Sequence, residues 1–91
     1  MTRREILDKA AAVVTGRDAQ HGSAEDNFSR IAGMWTAYKG VHFDAKDVAV
    51  MMILLKAARI ASGHQSDDNW CDIAGYAACG GELEEKAKEK E

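Results

Sequence analysis

No proline occurs among the 91 residues of this chain. Proline ends helices and stiffens linkers, so helix ends here must come from the eight glycines and from capping side chains. Hydrophobic residues make up 46% of the chain, which is too many for a disordered segment, and the length suits one domain. The sequence therefore predicts one helical domain over residues 1–81, followed by a charged segment.

Four segments carry the apolar spacing of amphipathic helices, at about residues 3–15, 24–39, 45–62 and 67–79. Each has a capping residue at its start, and these residues are Thr2, Ser23, Asp44 and Ser66. Each is followed by a glycine, and these glycines are Gly16, Gly40, Gly63 and Gly80. Residues 17–22 carry no periodicity and are predicted to form a loop. The predicted fold class is all-α, a small four-helix bundle.

The third helix is apolar on all sides between Val48 and Leu55. Such a helix has to be buried on every side, and three short neighbours in a small chain leave part of it uncovered. We therefore expect a homodimer. Because the run is only eight residues long, it cannot span a bilayer, and no membrane association is expected.

The charge pattern excludes several classes of protein. A net charge of −3 gives no support for non-specific nucleic-acid binding. The N-terminus carries no apolar stretch of the signal-peptide type, which predicts a cytoplasmic location. Residues 82–91 contain five Glu and three Lys, so this segment is either a disordered tail or a helical extension.

Two carboxylates near the start of the fourth helix are candidate metal ligands. Asp68 and Asp72 are four residues apart and project from one face, opposite the apolar face that carries Trp70 and Ile73. Mg²⁺ prefers a few oxygen ligands, and Glu25 of the second helix is a candidate third ligand. The alternative is that the first-turn acids only complement the helix dipole while Asp72 is merely exposed.

Cations lie near the end of the third helix. Lys56 and Arg59 are three residues apart, and an antiparallel hairpin of the third and fourth helices would bring them near Asp68. They either bind phosphate or form a structural salt bridge with an aspartate. The loop before the second helix leads to a helix N-terminus, which favours an anion. The predicted phosphate- or nucleotide-binding residues are Lys56, Arg59, His21, Ser23, His64 and Tyr76.

The histidines and cysteines do not have the spacing of a zinc site. His21, His42 and His64 fall in three separate predicted loops. Cys71 and Cys79 lack a C-x-x-C spacing, and on one helix they are about 12 Å apart along the axis, which excludes a disulfide between them. No structural zinc is expected, and no P-loop or Rossmann glycine pattern is present.

Three segments, "DAQHGSAEDNF", "VAVMMILLKAARIASG" and "DDNWCDIAGYAA", together resemble a family of small phage and prophage proteins known as a domain of unknown function. The shared pattern is D-N-F, K-x-x-R and D-D-N-W-x-D-I-A-G-Y-A, over roughly residues 2–81. The last motif is more distantly similar to a helix of the nucleotide-modification-associated phage domains, and these are similar to MazG-like all-α NTP pyrophosphohydrolases. The resemblance implies a dimeric bundle, encoded by a phage or prophage, that handles a nucleotide through carboxylate-bound Mg²⁺ in a bacterial host cell.

The sequence departs from the MazG-like pattern at several positions. The E-E-x-x-E helix is absent, Asp68 and Asp72 are spaced by four rather than three, and His21 stands where the phage family is expected to have a tyrosine. Three functions stay open. The first is a minimal or degenerate Mg-dependent NTP pyrophosphohydrolase. The second is a non-enzymatic phage accessory or counter-defence protein that binds a host protein or a signalling nucleotide. The third is a structural dimer with no ligand.

Overall fold

The structure of the chain is a computed structural model that describes residues 1–21 and 23–89, without the side chains of 17–21. Within this part of the chain four α-helices follow one another: α1 (Arg3–His21), α2 (Ala24–Lys39), α3 (Ala45–Ala61) and α4 (Asp67–Glu89). The prediction of a small all-α bundle is confirmed. None of these helices is long and apolar enough to cross a membrane.

The predicted caps explain where the helices begin. Side-chain oxygens of Thr2, Ser23, Asp44 and Ser66 accept hydrogen bonds from backbone amides two or three residues later, at 2.8 to 3.2 Å. Each bond satisfies an amide that has no partner inside the helix. At the end of α2, Gly40 adopts a left-handed conformation with φ of 70° and so ends the helix as predicted.

α1 is longer than predicted. It continues past Gly16 to His21, so the predicted end at Gly16 is wrong. The predicted loop over residues 17–22 is also wrong for residues 17–21, which are helical. A glycine ends a helix by adopting a positive φ, as Gly40 and Gly63 do. A glycine inside a helix costs only about 1 kcal/mol relative to alanine, so its presence alone does not end the helix.

α4 is also longer than predicted. It continues through Gly80 and Gly81 to Glu89, although the sequence indicated an end at about residue 79. Gly80 serves the packing of two helices, since a Cβ atom there would lie 3.2 Å from the Cβ atom of Ala49 on α3. Over residues 82–89 the charged segment is the helical extension that the sequence left as one of two alternatives. Residues 90 and 91 lie outside the described part of the chain.

α4 is the central helix of the bundle. It packs most extensively against α3 and, on another side, against α1, while α2 packs mainly on α3. The approach of α1 is close at Gly75, where a Cβ atom would lie 3.3 Å from Cγ2 of Val14. Small residues on two sides of α4 thus allow it to lie between α1 and α3.

The inward face of α4 differs from the predicted one. Trp70 is 53% exposed, whereas Asn69, Cys71 and Gly75 are buried. The small side chains at Cys71 and Gly75 let α1 approach closely, which a tryptophan at the same contact would prevent. As a result, Asp72 lies beside the neighbouring helices and pairs with Lys56 of α3.

Candidate functional site

A cleft of about 160 Å³ lies between α1, α2 and the first half of α4. Its walls are largely apolar, and Phe28 and Tyr76 meet there with their ring centroids 6.1 Å apart. The charged residues that line it are Lys9, Asp68 and Asp72. An apolar cleft with a few polar groups is the usual form of a small-molecule site, so this cleft is the candidate functional site.

Both aspartates of the cleft are paired with lysines. Lys9 Nζ lies 2.6 Å from Asp68 Oδ1, and Lys56 Nζ lies 3.1 Å from Asp72 Oδ2. The hydrogen bond from Lys9 lowers the pKa of the Asp68 carboxyl, and the same bond raises the pKa of Lys9. Both groups of this pair are therefore charged across the neutral pH range.

The structure brings together two of the three predicted metal ligands. Asp68 and Asp72 line the cleft, but Glu25 lies 3.3 Å from Lys86 and lines a smaller cavity with Ser23. Neither Asp68 nor Asp72 lines that smaller cavity. Over residues 1–16 and 23–89 no group of three His, Cys, Asp or Glu side chains is placed to hold a metal ion. The residues present do not fit a three-carboxylate Mg²⁺ site.

Other predicted phosphate-binding residues lie away from the cleft. Arg59 is exposed near the end of α3 and pairs with none of the acidic side chains that the structure describes. His64 is exposed in the loop between α3 and α4 and lines a separate cavity. The hydroxyl of Ser23 caps α2 by accepting a hydrogen bond from the amide of Asp26. The prediction for His21 concerns a side chain outside the described residues.

Two features of the cleft were missed from the sequence. Lys9 is 59 positions away from Asp68, and no local spacing rule links residues on helices whose packing is unknown. Phe28 carried only the signal of a core residue, because its apolar spacing is the same whether or not it borders a cleft. Cys71 and Cys79 also line the cleft, and the structure has no disulfide between them.

The comparisons with known proteins agree on a phage-type domain. The chain is 51% identical to the Gene 55 protein of Mycobacterium phage L5 over 74 residues, which are 79% of this chain and 47% of the phage protein. It is 36% identical to the Gene 55 protein of Mycobacterium phage D29 over 75 residues, which are 81% of this chain and 50% of that protein. The chain thus spans about half the length of these relatives.

No solved structure matches the chain. Residues 5–84 match a family model described as a domain of unknown function, DUF6378. This match covers nearly the whole helical bundle and confirms the prediction of a small phage-type domain of unknown function. The chain belongs to the DUF6378 family.

Proposed function

We propose that this domain binds a nucleotide in the cleft between α1, α2 and α4. The observation that carries the proposal is the division of the cleft into an aromatic, apolar part around Phe28 and Tyr76 and a charged part around Lys9 and Asp68. The two parts are separated by about 12 Å along α4, from Asp68 to Tyr76. A nucleotide has the same division, with a flat base at one end and anionic phosphates at the other.

Lys9 is the proposed phosphate-binding residue. The side chains of Lys9 and Asp68 are 42% and 67% exposed, and an ion pair this exposed is held weakly. Lys9 can therefore exchange the carboxylate for a phosphate oxygen and form a charge-assisted hydrogen bond with it. The side chain of Lys56 is only 18% exposed beside Asp72, so this second pair has the role of fixing α3 against α4.

An Mg-dependent pyrophosphohydrolase is the second candidate function. Its support is that Asp68 and Asp72 line one cleft, as carboxylates that share a metal would. Against it, each of these carboxylates has a lysine partner and Glu25 lies elsewhere. Metal-independent binding is therefore the better-supported version, and it fits a non-enzymatic phage accessory protein that captures a signalling nucleotide. The proposed setting is the cytoplasm of a bacterial host.

The test is a binding titration of the full chain with a panel of ribo- and deoxynucleotides, in EDTA and again with Mg²⁺. A ligand that binds the folded state stabilises it by an amount that grows with the logarithm of its free concentration relative to Kd, so at least one nucleotide should raise the melting temperature in EDTA. Lys9→Met should weaken binding at least about tenfold, because a hydrogen bond from a charged donor to phosphate is among the strong ones.

The matched control is Lys46→Met. Lys46 also pairs with a carboxylate, since its Nζ lies 3.8 Å from Oε1 of Glu84, but neither of these two residues lines the cleft. It should leave nucleotide binding unchanged. The proposal fails if no nucleotide shifts the melting temperature, or if both lysine variants weaken binding equally. Release of pyrophosphate that requires Mg²⁺ and disappears in Asp72→Asn would instead establish the hydrolase.

We also propose that the domain is a homodimer. The support is that several large apolar side chains of α3 are exposed to solvent in the single chain. A dimer without any ligand is the remaining alternative, and the nucleotide titration separates it from the binding proposal, since such a dimer would show no shift.

A further inference from the structure

One side of α3 is apolar and exposed, and we call it the α3 face. Its large side chains are Val50, Met51, Leu54 and Leu55, which are 47%, 39%, 61% and 47% exposed. The exposed alanines Ala58 and Ala61 continue the same side toward the end of the helix. The spacing of these residues, at intervals of three, four and seven, places them in adjacent rows on one side of the helix.

The α3 face is exposed because the other sides of α3 are already occupied. Val48 and Ala49 are buried against the neighbouring helices, and α3 packs on both α2 and α4. The bundle has no further helix, among the residues that the structure describes, to cover the remaining side. Contiguous apolar surface of this kind on a small domain marks an interaction surface.

The charges at the two ends of α3 have opposite signs. Asp44 and Asp47 cap its N-terminal end, where Lys46 is paired with Glu84 at 3.8 Å. Arg59 is exposed at the C-terminal end and has no acidic partner among the described side chains. Two antiparallel copies of α3 would bring the acidic end of one beside Arg59 of the other. A parallel arrangement would instead bring like charges together.

We propose that a second copy of this chain covers the α3 face, with the two α3 helices antiparallel about a twofold axis near Leu54. A twofold interface uses the same patch on both copies, which the apolar α3 face allows, with the oppositely charged ends of the helix at its rim. The antiparallel arrangement also sets the helix dipoles in opposite directions. This inference specifies the geometry of the proposed homodimer and is independent of any ligand in the cleft.

The first test is sedimentation equilibrium of the full chain over a range of micromolar concentrations. The wild type should be a dimer, and Leu54→Glu should raise the dissociation constant at least about tenfold, because a charge would be buried at the centre of an apolar interface. Leu7→Glu is the matched control: Leu7 lies on α1 and is 60% exposed, against 61% for Leu54. It should leave the dimer intact, and circular dichroism should show that both variants are folded.

The second test addresses the orientation by oxidative cross-linking. Residue 54 lies beside the proposed axis, so Leu54→Cys should form a disulfide between the two copies of the chain. Residue 61 lies far from the axis, so Ala61→Cys should form none. The wild type, with Cys71 buried and Cys79 half-buried, is the background control. A monomeric wild type, or equal weakening by Leu7→Glu and Leu54→Glu, would overturn the proposal. A disulfide at Ala61→Cys would overturn the antiparallel arrangement.

Discussion

The cleft and the α3 face differ in what accompanies their apolar side chains. In the cleft, Phe28 and Tyr76 lie near charged groups that are paired across helices, such as Lys9 with Asp68. Across the middle of the α3 face, around Leu54, the exposed side chains are apolar. Polar groups set in an apolar wall orient a small ligand, whereas an uncharged patch suits another apolar surface. The difference matches the two proposals, which are a small ligand in the cleft and a second copy of the chain on the α3 face.

The largest expected effect is on the free energy of unfolding, to which the cleft should contribute more than the α3 face. Phe28 is 7% exposed and belongs to the core as well as to the cleft, so Phe28→Ala should lower the free energy of unfolding by about 3–5 kcal/mol. Leu54→Ala on the α3 face should lower it by less than about 1 kcal/mol, because that side chain is exposed in the single chain.

Urea denaturation at low protein concentration measures both variants, since dilution limits any contribution from the dimer. Equal losses at Phe28 and Leu54 would contradict the distinction between a cleft built into the core and a face that lies outside it.

The next largest effect is on the stability of the contact between α3 and α4, which covers the side of α3 opposite the exposed α3 face. α3 is held against α4 at Gly80, where a leucine would collide with Ala49. Gly80→Leu should therefore destabilise the domain by about 1–3 kcal/mol. Gly81→Ala is the control, because nothing lies within 4 Å of a Cβ atom there, and it should stabilise α4 by up to about 1 kcal/mol. Urea midpoints of both variants measure the contrast, and a Gly80→Leu variant as stable as the wild type would refute the close approach.

The same glycines show which parts of the fold could be predicted from the sequence. The starts of the helices were predictable because each depends on one side chain and an amide nearby, as at Ser23 and Asp44. The ends at Gly16 and Gly80 were not, because a glycine ends a helix only when its φ is positive, and at Gly80 the packing of α3 decides instead.

The candidate site was predictable only where it lies on one helix. The spacing of Asp68 and Asp72 predicted that both project from one helix face, and in the structure both line one cleft. Their lysine partners come from α1 and α3, and a pair that joins two helices depends on packing that no local pattern contains. The inward face of α4 was misjudged for a related reason. Hydrophobicity alone favoured the side of α4 that carries Trp70 as the buried one. The small size of Gly75 instead decided which side packs against α1.

The smallest expected effect is the pH dependence of the pair of Lys9 and Asp68, which has no counterpart among the apolar side chains of the α3 face. The pKa of Asp68 is held below its ordinary 3.8, so its contribution to stability is present above that value and is lost as the pH falls through the lowered pKa. The pKa of Lys9 is held above its ordinary 10.5, so its contribution is present below that value and is lost as the pH rises through the raised pKa.

The wild type should therefore be slightly more stable than Lys9→Gln between these two limits, and the difference should vanish at the acidic and the alkaline end. Urea midpoints over this pH range measure it, and added salt should reduce it because both side chains are exposed. Lys46→Gln is the control, since its pair with Glu84 is longer, and should show a smaller difference. A difference for Lys9→Gln that persists in acid would mean that Lys9 stabilises the fold through its apolar stem against α4, and not through the carboxylate of Asp68.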